Sequence, residues 1–396
     1  MEQKYSFKFV ITLMLLASVF TCLIIALFLF RILGAYSGDI AYIRDYATLL
    51  QMIDKLYIGE YDEDILTAKA MKAAVESLDD RWSYYLTPEE YAGFLDISNN
   101  RFAGIGVGVA VDEATGGMGV EYVYPGSAAE TAGIIAGDVI IAIDGEDIIG
   151  ETIDGMRVRL SRTIGDTVNL TVLHYDGKTD ILAVVYGYIF TNPISYDMLD
   201  GNIGYISISN FDQGASDSFI SAVDELIGQS AYALIIDVRD NGGGRVVEMT
   251  GMLDYLLPEG EIFISIDRNG VETTTQSDTE MVDIPVVVLV DRFSFSAAEY
   301  FAATLSEYGY ATIVGEQTSG KSRMQGTYNM PGGGALHIST DQYLTKNRVS
   351  LHDAGGLTPD YTVILTEDEY ELFLSGKLEK TADPQIQKAI DLLEAA

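Results

Sequence analysis

Hydrophobic and polar positions alternate in clearly different ways along the chain, and each regime predicts a different element. From Phe9 to Phe30 the sequence FVITLMLLASVFTCLIIALFLF carries no charge. A helix of that length runs about 33 Å, enough to cross a bilayer. Lys4 and Lys8 precede it, which predicts a cytoplasmic N-terminus at 1–8, one transmembrane helix at 9–30 and an extracytoplasmic body. A cleaved signal peptide is the competing reading, with ILGAYSG at 32–38 as its cleavage region. Over 37–97, apolar residues recur three and four apart, as in AYIRDYATLLQMIDKLY, and predict helices; Thr87 and Pro88 supply an N-cap and first turn.

From 101 to 188 short apolar runs are punctuated by glycine, as in GIGVGVAV and AGDVIIAIDG, and predict a small β-rich domain. From 189 to 380 the pattern is α/β. The strand-like runs IGYISIS, YALIIDV, PVVVLV and ATIVG are separated by helical stretches at 215–228 and about 296–308. An amphipathic helix closes the chain within 381–396.

Composition narrows the partners. The formal charge is −35, and residues 1–31 carry +2, so the remainder carries −37. Such a body is repelled by nucleic acid and by anionic lipid. The only cysteine is Cys22, inside the predicted span, so the exported part can hold neither a disulfide nor a zinc–thiolate site. No metal or other cofactor is expected.

Two stretches suggest chemistry. GEQTSGKS, 315–322, satisfies the letters of a phosphate-binding loop. Such a loop needs a helix starting at its Lys-Ser, and RMQGTYNMPGGG is a poor helix, so the match reads as coincidence. The second feature is Ser296, where a buried strand turns into a helix 25 residues before Lys321. A serine there is an N-cap in the plain reading. The same position exposes a hydroxyl beside free backbone N–H groups, the ingredients of a nucleophile and its oxyanion hole. None of the three histidines, His174, His337 and His352, sits in a triad sequence. Lysine serves as the base if burial keeps it neutral.

FSAAEYFAATLSEYGYATIVGEQTSGKSRMQ, 295–325, resembles the carboxyl-terminal processing proteases, the tail-specific serine–lysine peptidases. The resemblance implies Ser296 as nucleophile, Lys321 as general base and Gln325 as the residue that positions the amine. It implies that the Ala297 N–H holds the oxyanion together with a glycine of LIIDVRDNGGG, either Gly242 or Gly243. Glu299, Asp237 and Arg239 read as scaffolding. PGSAAETAGIIAGDVIIAIDGEDI, 125–148, resembles a PDZ domain, and GIGV (Gly104, Ile105, Gly106, Val107) resembles its loop for a peptide's terminal carboxylate. Phe293 and Phe295 replace the usual small residues before the nucleophile and are expected to narrow the site.

The resemblance implies a crotonase-like α/β core with a PDZ domain, a helical N-terminal region and one transmembrane helix. It implies an endopeptidase acting on proteins or peptides with apolar C-terminal tails, and association of protomers. The competing function is a catalytically silent PDZ scaffold that binds C-termini at the cell surface.

Overall fold

The computed structural model describes the backbone of residues 7–35 and 40–395, with side chains described at Phe9, 11–26 and 42–395. Two compact units result, Met1–Ala70 and Met71–Ala396. In the first, the backbone is helical over Phe7–Ala35 and Ile40–Leu56. Among the described residues no helix is long and apolar enough to cross a membrane. The helix Phe7–Ala35 contains the whole of the span expected over 9–30. The side chains of residue 10 and 27–30 of that span, and residues 1–6 of the expected cytoplasmic segment, lie outside the described residues.

The region expected to be wholly helical up to residue 97 is not. Between helices Glu63–Glu76 and Pro88–Ser98 lies a short strand, Tyr84–Leu86. It pairs antiparallel with the strand Ala335–Leu344, with Tyr84 opposite His337. Its aromatic residues suit a pleated, half-buried surface better than a helix. Helix Pro88–Ser98 begins as expected, with Thr87 and Glu90 forming a reciprocal capping box.

The β-rich domain is an antiparallel sheet. Its strands run Val107–Val111, Met118–Val123, Val139–Ile143, Thr167–Leu173 and Thr179–Val185, in that order across the sheet. Ile105, Met118, Ile140, Met156 and Leu170 fill its separate core. A two-stranded ribbon, Arg101–Gly104 with Gly187–Phe190, joins the two ends of this domain.

The α/β core is built on a six-stranded sheet, in the order Ile194–Leu199, Ile203–Ile208, Ala233–Asp237, Val286–Val290, Ala311–Gly315 and Tyr361–Thr362. All its neighbours are parallel except the first pair. The strands Ala233–Asp237 and Val286–Val290 are buried at every position, which is why they read as unbroken apolar runs. Helices Ala215–Gly228, Val246–Leu256 and Ala297–Glu307 contribute to one apolar cluster, and the C-terminal helix Pro384–Glu394 to another. That last helix is tied to the core by Arg239, whose buried guanidinium bonds Asp237, Asp383 (2.8 Å) and Gln385 (2.7 Å). A second sheet, containing Tyr84–Leu86, Arg323–Asn329, Ala335–Leu344, Gly260–Asp267 and Glu272–Ser277, supplies one wall of the cleft described next.

Candidate active site

Ser296 stands just after the central strand Val286–Val290, at the tip of helix Ala297–Glu307. The loop between them is stitched to its neighbour. Ser294 Oγ donates to Val238 O at 2.7 Å, and the Phe295 N–H donates to Asn241 O at 2.9 Å. Ser296 is forced to φ +54° and ψ −115°, a conformation that a residue with a Cβ adopts only when its surroundings impose it. Serines on strained strand-to-helix turns of this kind present their hydroxyl clear of the sheet. Ala297 is the first helical residue, so its N–H lacks an intrahelical acceptor.

The side chain that organises the surroundings is Glu299, which is fully buried. Its Oε2 accepts from the N–H groups of Ser296 (3.0 Å) and Lys321 (2.9 Å). Its Oε1 accepts from Thr318 Oγ1 (2.6 Å) and the Gly320 N–H (2.5 Å). One carboxyl group thus holds the serine's backbone and the lysine's loop in a common frame. That loop, 315–322, leads into the strand Arg323–Asn329 rather than a helix, so the phosphate-loop reading has no structural counterpart. Gly315 has φ +136°, and a Cβ there would lie 1.9 Å from Val290 O, so only glycine fits.

The glycine turn after Ala233–Asp237 lies against Ser296. A Cβ on Gly243 (φ +92°) would fall 2.9 Å from Ser296 Cβ and 3.0 Å from the Ala297 nitrogen. The Gly243 N–H already donates to Asn241 Oδ1 at 2.8 Å. Gly242 lines the same cavity.

Lys321 is largely buried. Burial pulls its ammonium pKa down to about 8, against opposing pulls from Glu299 and Asp80. Nζ sits 4.3 Å from the centroid of the Trp82 ring. Gln325 donates to Arg323 O and Ser339 Oγ, both at 3.0 Å, and among the described residues it has no hydrogen bond to Lys321. Ser296, Ala297, Gly242, Gly243, Lys321 and Gln325 nevertheless all line one cavity of about 660 Å³. Apolar side chains, among them Met249, Phe263 and Met324, line the same cavity. Phe293 and Phe295 do not narrow it: Phe293 stacks on Tyr370, and Phe295 packs edge-on against Trp82. His337 also lines it, but burial and the nearby Lys321 push its pKa down to about 4. Burial raises the Asp212 carboxyl to about 6 at the same cavity. A hollow of about 750 Å³, bordered by Asp267, Arg323, Asp341 and His352, contains none of the expected residues.

In the β-rich domain, Gly104 ends a strand, Ile105 is buried in the core, and Val107 begins the edge strand. Gly106 has φ +93°, and a Cβ there would lie 2.2 Å from Ser127 Cβ. The edge strand Val107–Val111 has a neighbour on one side only, Met118–Val123. Such an edge can accept an added strand.

Comparison with known proteins agrees with this architecture. The profile of "Peptidase family S41" matches residues 202–363, and that of "PDZ domain" matches 119–173. A carboxyl-terminal-processing protease of Picosynechococcus sp. is 31% identical over 324 residues, covering 80% of this chain and 76% of that one. The chain belongs to peptidase family S41, among the carboxyl-terminal-processing proteases. The carboxy-terminal processing protease CtpA of Bacillus subtilis is 29% identical, covering 82% of this chain and 71% of its own. The crystal structure of a putative S41 protease from Bacteroides fragilis shares the fold, with a TM-score of 0.51 and 18% identity over 85% of this chain and 99% of that one.

In this S41 chain, the likeness to the processing proteases pointed to Ser296 and Lys321 but not to the contacts of Trp82 and Asn241 or the full reach of Glu299. Trp82 lies just before the strand Tyr84–Leu86, whose pairing with Ala335–Leu344 accompanies its contact with the lysine amine.

Proposed function

We propose that this chain is a membrane-anchored, extracytoplasmic serine endopeptidase that cleaves proteins near their C-termini with a Ser296–Lys321 dyad. The observation that carries the reading is the Glu299 carboxyl group, which binds the backbones of both residues at the rim of one apolar cavity. Ser296 Oγ attacks the peptide carbonyl while the neutral Lys321 amine takes its proton. The Ala297 N–H and the Gly242–Gly243 turn stabilise the tetrahedral anion; Gly243 can contribute only if it shares its bond to Asn241. Lys321 then protonates the leaving amine, and water resolves the acyl-enzyme. Gln325 steadies the amine once its present bonds exchange. The PDZ domain takes an apolar C-terminal tail along Val107–Val111, with its carboxylate at Gly104–Val107. The charge-free run 9–30 is the anchor, and protomers associate.

The silent-scaffold reading draws on one feature: Nζ rests over Trp82, and no described hydrogen bond joins it to Ser296. The pH dependence separates the two. With a pKa of about 8, roughly a tenth of Lys321 is neutral at pH 7. For residues 37–396 acting on an unfolded protein with an apolar C-terminus, kcat/KM should rise about tenfold per pH unit and level off above pH 8. An optimum near pH 5, or tail binding without turnover at any pH, rules out the dyad.

A further inference from the structure

We infer that Trp82 is a positioning residue for Lys321: its indole ring is the resting seat of the lysine ammonium and releases the amine when the proton leaves. The inference rests on the reading of Lys321 as general base. Nζ lies 4.3 Å from the ring centroid, well inside the range of a cation–π contact. It has no hydrogen bond or ion pair among the described residues, so the ring is the group that fixes it.

The seat is built rather than incidental. Trp82 belongs to the short segment 80–83, which folds on itself: Asp80 accepts from Ser83 Oγ (2.6 Å) and from the Trp82 N–H (3.2 Å). Ser83 is buried, and its Oγ accepts the Ser339 N–H at 3.0 Å, which pins the segment to the second sheet. Ser339 Oγ in turn accepts from the Gln325 amide. The ring also meets Phe295 edge-on at 6.1 Å, so it touches the residue next to Ser296 as well as the lysine. Trp82 therefore contacts Lys321 and the neighbour of Ser296, from a segment outside the span that matches the peptidase family.

The ring attracts the ammonium and not the neutral amine, so it acts against burial. Several charged groups face the same space. Glu299 on the nucleophile helix and Asp80 on the segment favour the charged form, and Arg81 opposes it. Arg81 also lies 4.3 Å from the Trp82 centroid, Arg323 is 3.6 Å from Asp80, and His337 faces Lys321 from the strand Ala335–Leu344. Removing the aromatic face while keeping the site dry should release the amine at lower pH.

Trp82 is the only tryptophan in the chain, which makes it its own reporter. In the full chain, its emission should show one transition with a midpoint near pH 8 between about pH 6 and 9.5, below the tyrosine range. Lys321→Met should abolish that transition. In kcat/KM, Trp82→Leu should move the alkaline rise down by about half a unit to one unit, and Trp82→Phe should leave it within about 0.3 unit of the parent. A transition that survives in Lys321→Met, no transition in the parent, or equal shifts in the leucine and phenylalanine variants would overturn the seat. The emission needs no turnover. If it titrates as expected while the parent cleaves nothing, the seat stands and the proteolytic reading fails. If Ser296→Ala abolishes cleavage but the emission is flat, the dyad stands and the seat fails.

Discussion

Ser296→Ala should lower the cleavage rate by roughly ten-thousandfold or more, and Lys321→Ala by a similar factor, because residues that act as one unit are each close to indispensable. Binding of an apolar C-terminal peptide should be unchanged in both, since the PDZ core is separate from the core around Ser296. A parallel stability measurement guards against a trivial explanation. At φ +54° and ψ −115°, alanine meets the same backbone strain as serine and should leave the denaturation midpoint near that of the parent. Ser296→Gly removes the Cβ and should raise stability by about 1 kcal/mol while being equally inactive. Inactivity combined with greater stability is the signature of a residue held under strain for chemistry. Cleavage that persists in Ser296→Ala would end the serine mechanism.

Glu299→Ala is expected to cost nearly as much activity, through geometry rather than proton transfer. Its carboxyl group accepts from the N–H groups of Ser296, Gly320 and Lys321 and from the Thr318 hydroxyl, all in a dry interior. Alanine leaves those donors without an acceptor, at a cost of about 1–3 kcal/mol for each one that stays buried. The loop carrying Lys321 would then be free to drift from the serine. Glu299→Gln is the sharper probe, because it keeps the shape but turns one acceptor oxygen into a donor facing N–H or O–H groups. Stability should fall by roughly 2–4 kcal/mol and kcat by about a hundredfold, with KM little changed. A glutamine variant with parental kcat would show that the frame is not needed.

What the sequence revealed and what it hid have physical causes. Parallel strands buried on both faces, Ala233–Asp237 and Val286–Val290, appear as unbroken apolar runs, and the helix after the second is strongly patterned. The serine at that junction was therefore legible, as was the glycine-punctuated PDZ sheet. The N-terminal region was misread around Tyr84–Leu86, because its strand exists only through pairing with residues more than two hundred positions away. The reach of Glu299 was hidden for a related reason: three of its four donors are backbone N–H groups, which leave no mark on residue identity. Gln325 was expected beside the lysine amine, yet its amide bonds Arg323 O and Ser339 Oγ. Spacing along a strand brings a side chain to a site without choosing its partner there.

The most direct measurement is covalent. Exposing residues 37–396 to a small fluorophosphonate, which phosphonylates activated serines at Oγ with loss of fluoride, followed by peptide mapping, reports the nucleophile and its base together. A single adduct on Ser296 is predicted, forming faster as pH rises towards 8, slowed at least about a hundredfold in Lys321→Ala and absent in Ser296→Ala. An adduct on another serine, or equal labelling rates with and without the Lys321 amine, would contradict the account.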